Sequence, residues 1–442
     1  MNVGYYFTNS RIAGQDLRNI MDGNPGIGGT YYAMLLLVKL LSLKCDTGNE
    51  YYLFVEDERN LPDGINVIPT RNLLDLSRGI KEKKIDVLVV NKIGKDTLDK
   101  FFFNSISDCD VKVVIWAHCF IPYKELCSYS RNKKVSKVVA VGKEQLMCWC
   151  DHPIFNKATY IYNICNYPDS PVTPYRERKN VVVYVGSIVP LKGLHLLTAA
   201  WPTIKKAVPD AELYIIGSGN LYNKDAIMGK YGIADYFYEK QILKPVLDNK
   251  GQIDESVHFL GVLGKEKTDI LNMSKVGVPN PSGLTETFGY TAIEMQLAGT
   301  QIATIKCPGY LDTVYDKAGI LYNNTKELAQ SVISLLQTAE YDNKDAISFI
   351  RHKFDSDNII DSWISLFERV IGNVEEKNIL ESSVLYSTQL KMKNRRLKKI
   401  LPFLPSIMLY ETIASRLLYV CKKMIDLPTT LEKIYRRKII KK

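Results

Sequence analysis

Two acids eight positions apart, Glu286 and Glu294, stand in the segment PSGLTETFGYTAIEMQLAG (281–299), directly after the aliphatic run VGVPN (276–280). A helix is expected to begin near Phe288 or Gly289 and to stop before Gly299, since glycine readily ends helices. Glu286 then lies in the loop before the helix and Glu294 in its second turn. Eight helical residues rise about 12 Å, a span that suits a ligand with a polar group at each end and phosphates between. The free backbone N–H groups of the helix start, around Gly289, Tyr290 and Thr291, favour an anion there, and the helix dipole adds to them. Gly28 and Gly29, in NPGIGG (24–29), form a second candidate phosphate contact, because glycine lets backbone approach without a side-chain clash. His118 follows the run VKVVIWA (111–117), and the end of a parallel strand is where open α/β sheets hold ligands.

Short β-branched or aromatic runs alternate with longer helical patterns through most of the chain. Asn2–Phe7, Tyr52–Val55, Asp86–Val90, Val111–Trp116, Lys137–Val141 and Thr159–Tyr162 read as strands, with a helix over Thr30–Leu43 after the first. A second series runs Val181–Val185, Glu212–Ile216, Val257–Leu260, Val276–Pro279, Gln301–Ile305 and Gly319–Tyr322. Such alternation argues for parallel sheets with helices on both faces. Between the two series, YPDSPVTPYRER (167–178) carries three prolines and few aliphatics, as linkers do. The expected organisation is two Rossmann-like domains, 1–167 and 180–342, joined by 168–179. Helices in 343–372 (Asp345–His352 and Asn358–Val370) would cross back towards the first domain, and 373–442 is a basic amphipathic tail. Asn220–Ser256 is long for one helix between two strands, and its role is not legible in the sequence.

Glu286-x7-Glu294 in this setting closely resembles the signature of retaining GT-B glycosyltransferases that use nucleotide sugars, the glycosyl transferases group 1 type. VVVYVGSIVPLKG (181–193), AELYIIGSG (211–219) and VHFLG (257–261) occur in the order of that family, and the resemblance covers roughly Met1–Val370. It implies an α/β GT-B architecture, two Rossmann-like parallel-sheet domains facing a central cleft, with the donor mainly on the second domain and the acceptor entering from the first. It also implies that Glu294 hydrogen-bonds the donor ribose and that Glu286 lies beside the transferred sugar. Lys192 matches a lysine on the donor diphosphate, where a fixed cation stabilises the charge that builds as the glycosidic bond breaks. His118 matches a histidine that contacts the sugar or supports the reaction face, Gly28–Gly29 a donor-phosphate loop, and the backbone near Gly261–Val262 the base. One position departs. Where many relatives carry arginine directly after the strand glycine, this chain has Ser187. Lys192 and the helix dipoles then suffice, or Lys265 or Lys306 substitutes, or activity is weak.

The implied activity is metal-independent hexosyl transfer, with retention, from a nucleotide sugar such as a UDP- or GDP-sugar to a hydroxyl of a glycan or lipid-linked acceptor. No further cofactor is implied, and the setting would be synthesis of bacterial-type surface polysaccharide, lipopolysaccharide or glycolipid. A nucleotide-sugar epimerase or a phosphorylase of the same architecture is one competing reading. A catalytically silent membrane-docked scaffold, supported by Ser187, is another.

Composition narrows the remaining classes. The 442 residues are 46% apolar and 24% charged, which excludes wholesale disorder. Nine scattered cysteines suggest reduced thiols and a cytosolic body. Cys148 and Cys150 in CWCDH (148–152) are one residue apart with no second pair at zinc-finger spacing, so no metal site is expected. His195 and His258 read as packing residues, and there is no GxSxG elbow. The N-terminus lacks signal-peptide order, and no run of about 18 apolar residues exists. The net charge of +10 sits in the tail: 391–442 holds 15 basic and 3 acidic residues, against 43 and 45 in the rest. Tyr410, Ile413, Leu417, Val420 and Met424 form one helical stripe between KMKNRRLKK (391–399) and YRRKIIKK (435–442), as in an in-plane membrane helix. The expectation is a cytoplasmic protein, peripheral at the inner face of the membrane and held on anionic lipid through residues 391–442. No nucleic-acid motif accompanies the charge.

Overall fold

The computed structural model describes residues 1–44, 48–91, 100–165, 167, 171–220, 227–264, 266–374 and 378–425, the last without the side chains of 420–425. Its strands form two all-parallel sheets. In the first, β1 (Asn2–Tyr6), β2 (Glu50–Val55), β3 (Asn66–Pro69), β4 (Val87–Asn91), β5 (Lys112–Ala117), β6 (Val135–Ala140) and β7 (Ala158–Tyr160) lie in the order 3-2-1-4-5-6-7. In the second, β8 (Lys179–Val185), β9 (Glu212–Ile216), β10 (Val257–Gly261), β11 (Ser274–Gly277), β12 (Gln301–Ile305) and β13 (Gly319–Tyr322) lie in the order 10-9-8-11-12-13. The central strands VLVVN and KVVIWA are apolar along almost their whole length because helices cover both faces.

Two differences from the sequence reading have local causes. β3 was not anticipated: it is a short, half-exposed edge strand, and its closing Pro69 is tolerated only at an edge or a strand end. β11 ends at Gly277 because Pro279 has no N–H to continue the ladder; Val278 makes the last bond, to the Val183 carbonyl at 2.8 Å.

The helix Ser356–Ile371 leaves the second domain and packs on the first. Its fully buried Trp363 meets Trp116 of β5 edge-on at 4.8 Å. The helix Tyr386–Leu397 lies on the other face of the first sheet, where Met392 and, from the final helix Ile407–Ile425, Met408 join the core around Leu126, Trp149 and Phe155. In the long 220–256 segment, the helix Tyr236–Leu243 carries a buried Glu239 whose carboxylate accepts the N–H groups of Tyr231 and Ile233, closing the loop on itself.

Candidate active site

Strand order reverses once in each sheet, between β1 and β4 and between β8 and β11. Beyond the carboxyl ends of strands at such a point, open α/β sheets form their ligand crevice. The loop after β8 ends in the turn Pro190–Lys192 and then Gly193, with φ of +71°. A Cβ at Gly193 would lie 2.7 Å from the backbone nitrogen of Ser282, so glycine alone lets this loop abut the one leaving β11. In that second loop, Asn280 and Thr285 take positive φ, a strained backbone kept by local bonds. Asn280 Nδ2 donates to the Leu284 carbonyl at 3.1 Å and to Glu286 Oε2 at 3.0 Å. The same Glu286 oxygen receives Lys192 Nζ at 2.9 Å. Gly289, at φ +94°, then caps the helix Tyr290–Leu297; a Cβ there would press into the Tyr310 ring.

That helix carries Glu294 in its second turn. Lys267 Nζ donates to Glu294 Oε2 at 2.7 Å, and the Tyr167 hydroxyl donates to Oε1 at 3.0 Å. Burial, reinforced by the Glu294 charge, pushes the Tyr167 hydroxyl well above the usual phenol range, so it stays a donor. Both glutamates are largely shielded, with side chains 14% and 10% exposed, which weakens salt screening of the two pairs. The site therefore holds two ammonium–carboxylate pairs, one at each side of a helix start whose first N–H groups have no intrahelical partner.

The first domain closes over this site. Gly28 caps the helix Gly29–Leu43, and a Cβ on Gly29 would stand 3.1 Å from the Tyr290 ring. Tyr32 meets that ring edge-on at 5.5 Å, and the Cβ position of Gly26 is 3.6 Å from the half-exposed Val262. Two helix starts thus converge on one place. Across the same boundary, the buried Asp312 accepts the Glu144 N–H at 2.9 Å and the Tyr162 hydroxyl at 3.2 Å, and burial raises its carboxyl to about 6.

His118 is placed differently from the other candidates. Its carbonyl accepts the Thr287 hydroxyl at 2.6 Å, next to Glu286. Its ring is buried against Trp116 at 4.3 Å, and Nε2 has no partner. Burial lowers its pKa to about 3, so the ring is neutral at physiological pH. The unfolded chain then binds more protons than the folded one between pH 6.5 and about 3. The stabilisation is complete above pH 6.5 and declines as pH falls. His118→Gln is expected to reduce the fall in Tm between pH 7 and 5; the buried His152, lowered to about 4, keeps part of it. Equal falls in both proteins would show that His118 is not held neutral.

Ser187 is buried and brings no charge. Of the two substitutes weighed for it, Lys306 bonds neither glutamate, and Lys265 lies outside the described residues. Lys267, which sequence reasoning missed, supplies the second ammonium. Its signal was an oddity: a lysine opening the helix Lys267–Met273, where the dipole disfavours a cation unless a carboxylate faces it. A cavity of about 500 Å³ lined by Tyr175, Asp210, Lys275 and Leu336 lies at the amino ends of β8 and β11, away from the crevice. Among the described residues, no three His, Cys, Asp or Glu side chains are grouped to hold a metal ion.

Residues 179–338, which contain β8–β13 and both lysine–glutamate pairs, match the family described as glycosyl transferases group 1. Solved structures share the two-domain architecture. A glycosyltransferase from Rickettsia africae ESF-5 is 13% identical, with TM-score 0.61 over 84% of this chain and 99% of its own. AviGT4, a glycosyltransferase involved in avilamycin A biosynthesis, is 14% identical, with TM-score 0.50 over 85% and 99%. A UDP-forming α,α-trehalose-phosphate synthase from Burkholderia xenovorans is 13% identical, with TM-score 0.51 over 67% and 77%. At these identities the likeness is one of fold. No curated protein matches the sequence.

Proposed function

From a chain with the GT-B fold whose second domain is of the glycosyl transferases group 1 family, we propose hexosyl transfer, with retention, from a nucleoside-diphosphate donor to an acceptor hydroxyl. The observation that carries this reading is the Lys192–Glu286 pair at the β8/β11 switch point, with Glu294 one helix away. Glu294 takes the ribose hydroxyls, and Glu286 orients the sugar. Lys192 and the two converging helix starts hold the diphosphate. The bond from the anomeric carbon to the phosphate oxygen breaks as the bond to the acceptor oxygen forms on the same face. The acceptor proton passes to the departing phosphate oxygen, its nearest base. His118, neutral and buried, takes no part in that proton transfer, and its carbonyl positions Thr287 beside Glu286. The diphosphate charge is met by lysines and helix starts, and no cofactor joins the donor.

No helix among the described residues is long and apolar enough to cross a membrane. The basic tail supports a peripheral location at the inner face, with a lipid-linked or surface-glycan acceptor. Incubation with UDP- and GDP-sugars tests the activity. Released nucleoside diphosphate and a product of unchanged anomeric configuration by NMR are expected. An epimerised donor without transfer would replace this reading by the epimerase, and no consumption with no nucleotide-induced rise in Tm would leave the silent scaffold.

Lys267 neutralises Glu294 before the donor arrives. When ribose takes the carboxylate, the freed ammonium turns to the diphosphate and supplies what Ser187 does not. Lys267→Met is expected to raise the donor KM roughly tenfold, the worth of one charge-assisted hydrogen bond, with a smaller change in kcat. An unaltered KM would rule that role out.

A further inference from the structure

We propose that residues 397–419 form a docking face for an anionic lipid surface, with Ile400 and Phe403 as its inserted tip. The inference rests on the peripheral-membrane reading and narrows it to one face. The basic stretch 391–399 is divided in the structure. Lys391 is buried and pairs with Glu411 at 2.9 Å. Arg395 donates to the Cys150 carbonyl at 2.7 Å and lies over the Phe155 ring, and Lys398 donates to the Asp151 carbonyl at 2.5 Å. Arg395 and Lys398 clamp this C-terminal segment to the first domain, Lys391 ties the helix Tyr386–Leu397 to the final helix, and none of the three is available to lipid. Lys393, Arg396 and Lys399 remain exposed.

Beyond the clamp, apolar side chains face outward. Ile400 and Phe403, in the connection to the final helix, are each 78% exposed. Tyr410, Ile413, Leu417 and Leu418 on the final helix are also exposed. From Ile413 to Tyr419 every described position of that helix is exposed, so it leaves the body of the protein rather than packing on it. Arg416 lies within this stretch, and the one acid between 386 and 425, Glu411, is tied to Lys391. An apolar surface bordered by unpaired cations needs a partner with a hydrocarbon interior and negative charge. A second copy would set the same positive charge against itself. Nucleic acid offers no place for Ile400 and Phe403. An anionic bilayer supplies both terms.

The test uses the full chain and two vesicle types, phosphatidylcholine alone and phosphatidylcholine containing phosphatidylglycerol. The protein is expected to sediment with the anionic vesicles at least tenfold better. The double variant Ile400→Glu and Phe403→Glu should lose roughly tenfold or more of that binding, while its circular dichroism and its Tm rise with nucleoside diphosphates stay as in the parent. If the parent binds neither vesicle type, both the membrane reading and this face are wrong. If the parent binds and the variant binds equally, the face is wrong and the membrane reading survives through other residues. A lipid-free dimer that the variant dissociates would assign the face to a second copy and overturn the proposal.

Discussion

Replacing Lys192 with methionine is expected to lower kcat for sugar transfer by about 10²–10³-fold, the usual loss when one preorganised charge is removed from a site where charge develops. Methionine keeps the unbranched stem and deletes only the ammonium. The donor KM should move much less, because the ground-state diphosphate keeps the two helix starts, whereas the charge released on bond breaking loses its nearest counterion. Glu286→Gln should also impair transfer, and the double variant should lose less than the sum, since the two side chains meet at 2.9 Å and act as a unit. Steady-state release of nucleoside diphosphate measures all three proteins. A Lys192→Met enzyme within fivefold of the parent would remove this lysine from the mechanism.

What the sequence disclosed about this site and what it concealed follow from the range of the interactions involved. Glu286 and Glu294 lie within one loop and one helix, and local rules fix their spacing: Gly289 must take a left-handed backbone to start the helix, and Gly193 must let two loops meet. The parallel sheets were legible because their central strands are nearly all apolar. Tyr167 and Lys267 were not legible as partners of Glu294, being 127 and 27 positions away with no periodicity linking them. The strand-end position of His118 was readable, but its ring is shut in by Trp116, which itself packs on Trp363 from a helix near the other end of the fold. In the tail, the helical stripe showed an apolar face, yet nothing in the spacing told the clamping lysines from the exposed ones. The run CWCDH drew attention for its cysteines, and the structural work there is done by Asp151.

Asp151→Ala is expected to release the C-terminal helices while leaving both sheets folded. The Asp151 carboxylate is buried and accepts Asn394 Nδ2 at 2.8 Å, the Ser406 hydroxyl at 2.8 Å and the Ile407 N–H at 2.6 Å. The last two bonds hold the start of the final helix, and the first reaches the last turn of the helix before it. Alanine leaves the Ser406 hydroxyl and the Ile407 N–H without this acceptor, each costing about 1–3 kcal/mol when buried, while Asn394 Nδ2 keeps the Pro405 carbonyl at 2.9 Å. The apolar contacts that oppose release, through Leu380, Met392 and Met408, come from partly buried side chains. Undocking the segment lets water satisfy the donors, so local opening is favoured over global unfolding. Limited proteolysis should cut the variant near 398–406 much faster than the parent, with the main thermal transition little changed. Asp151→Asn, which keeps one acceptor oxygen, should lie between. Equal cleavage of the alanine variant and the parent would mean that the apolar contacts, with Arg395 and Lys398 on the Cys150 and Asp151 carbonyls, hold the helices without this carboxylate. In that case the position of the exposed face on the molecule would not depend on Asp151.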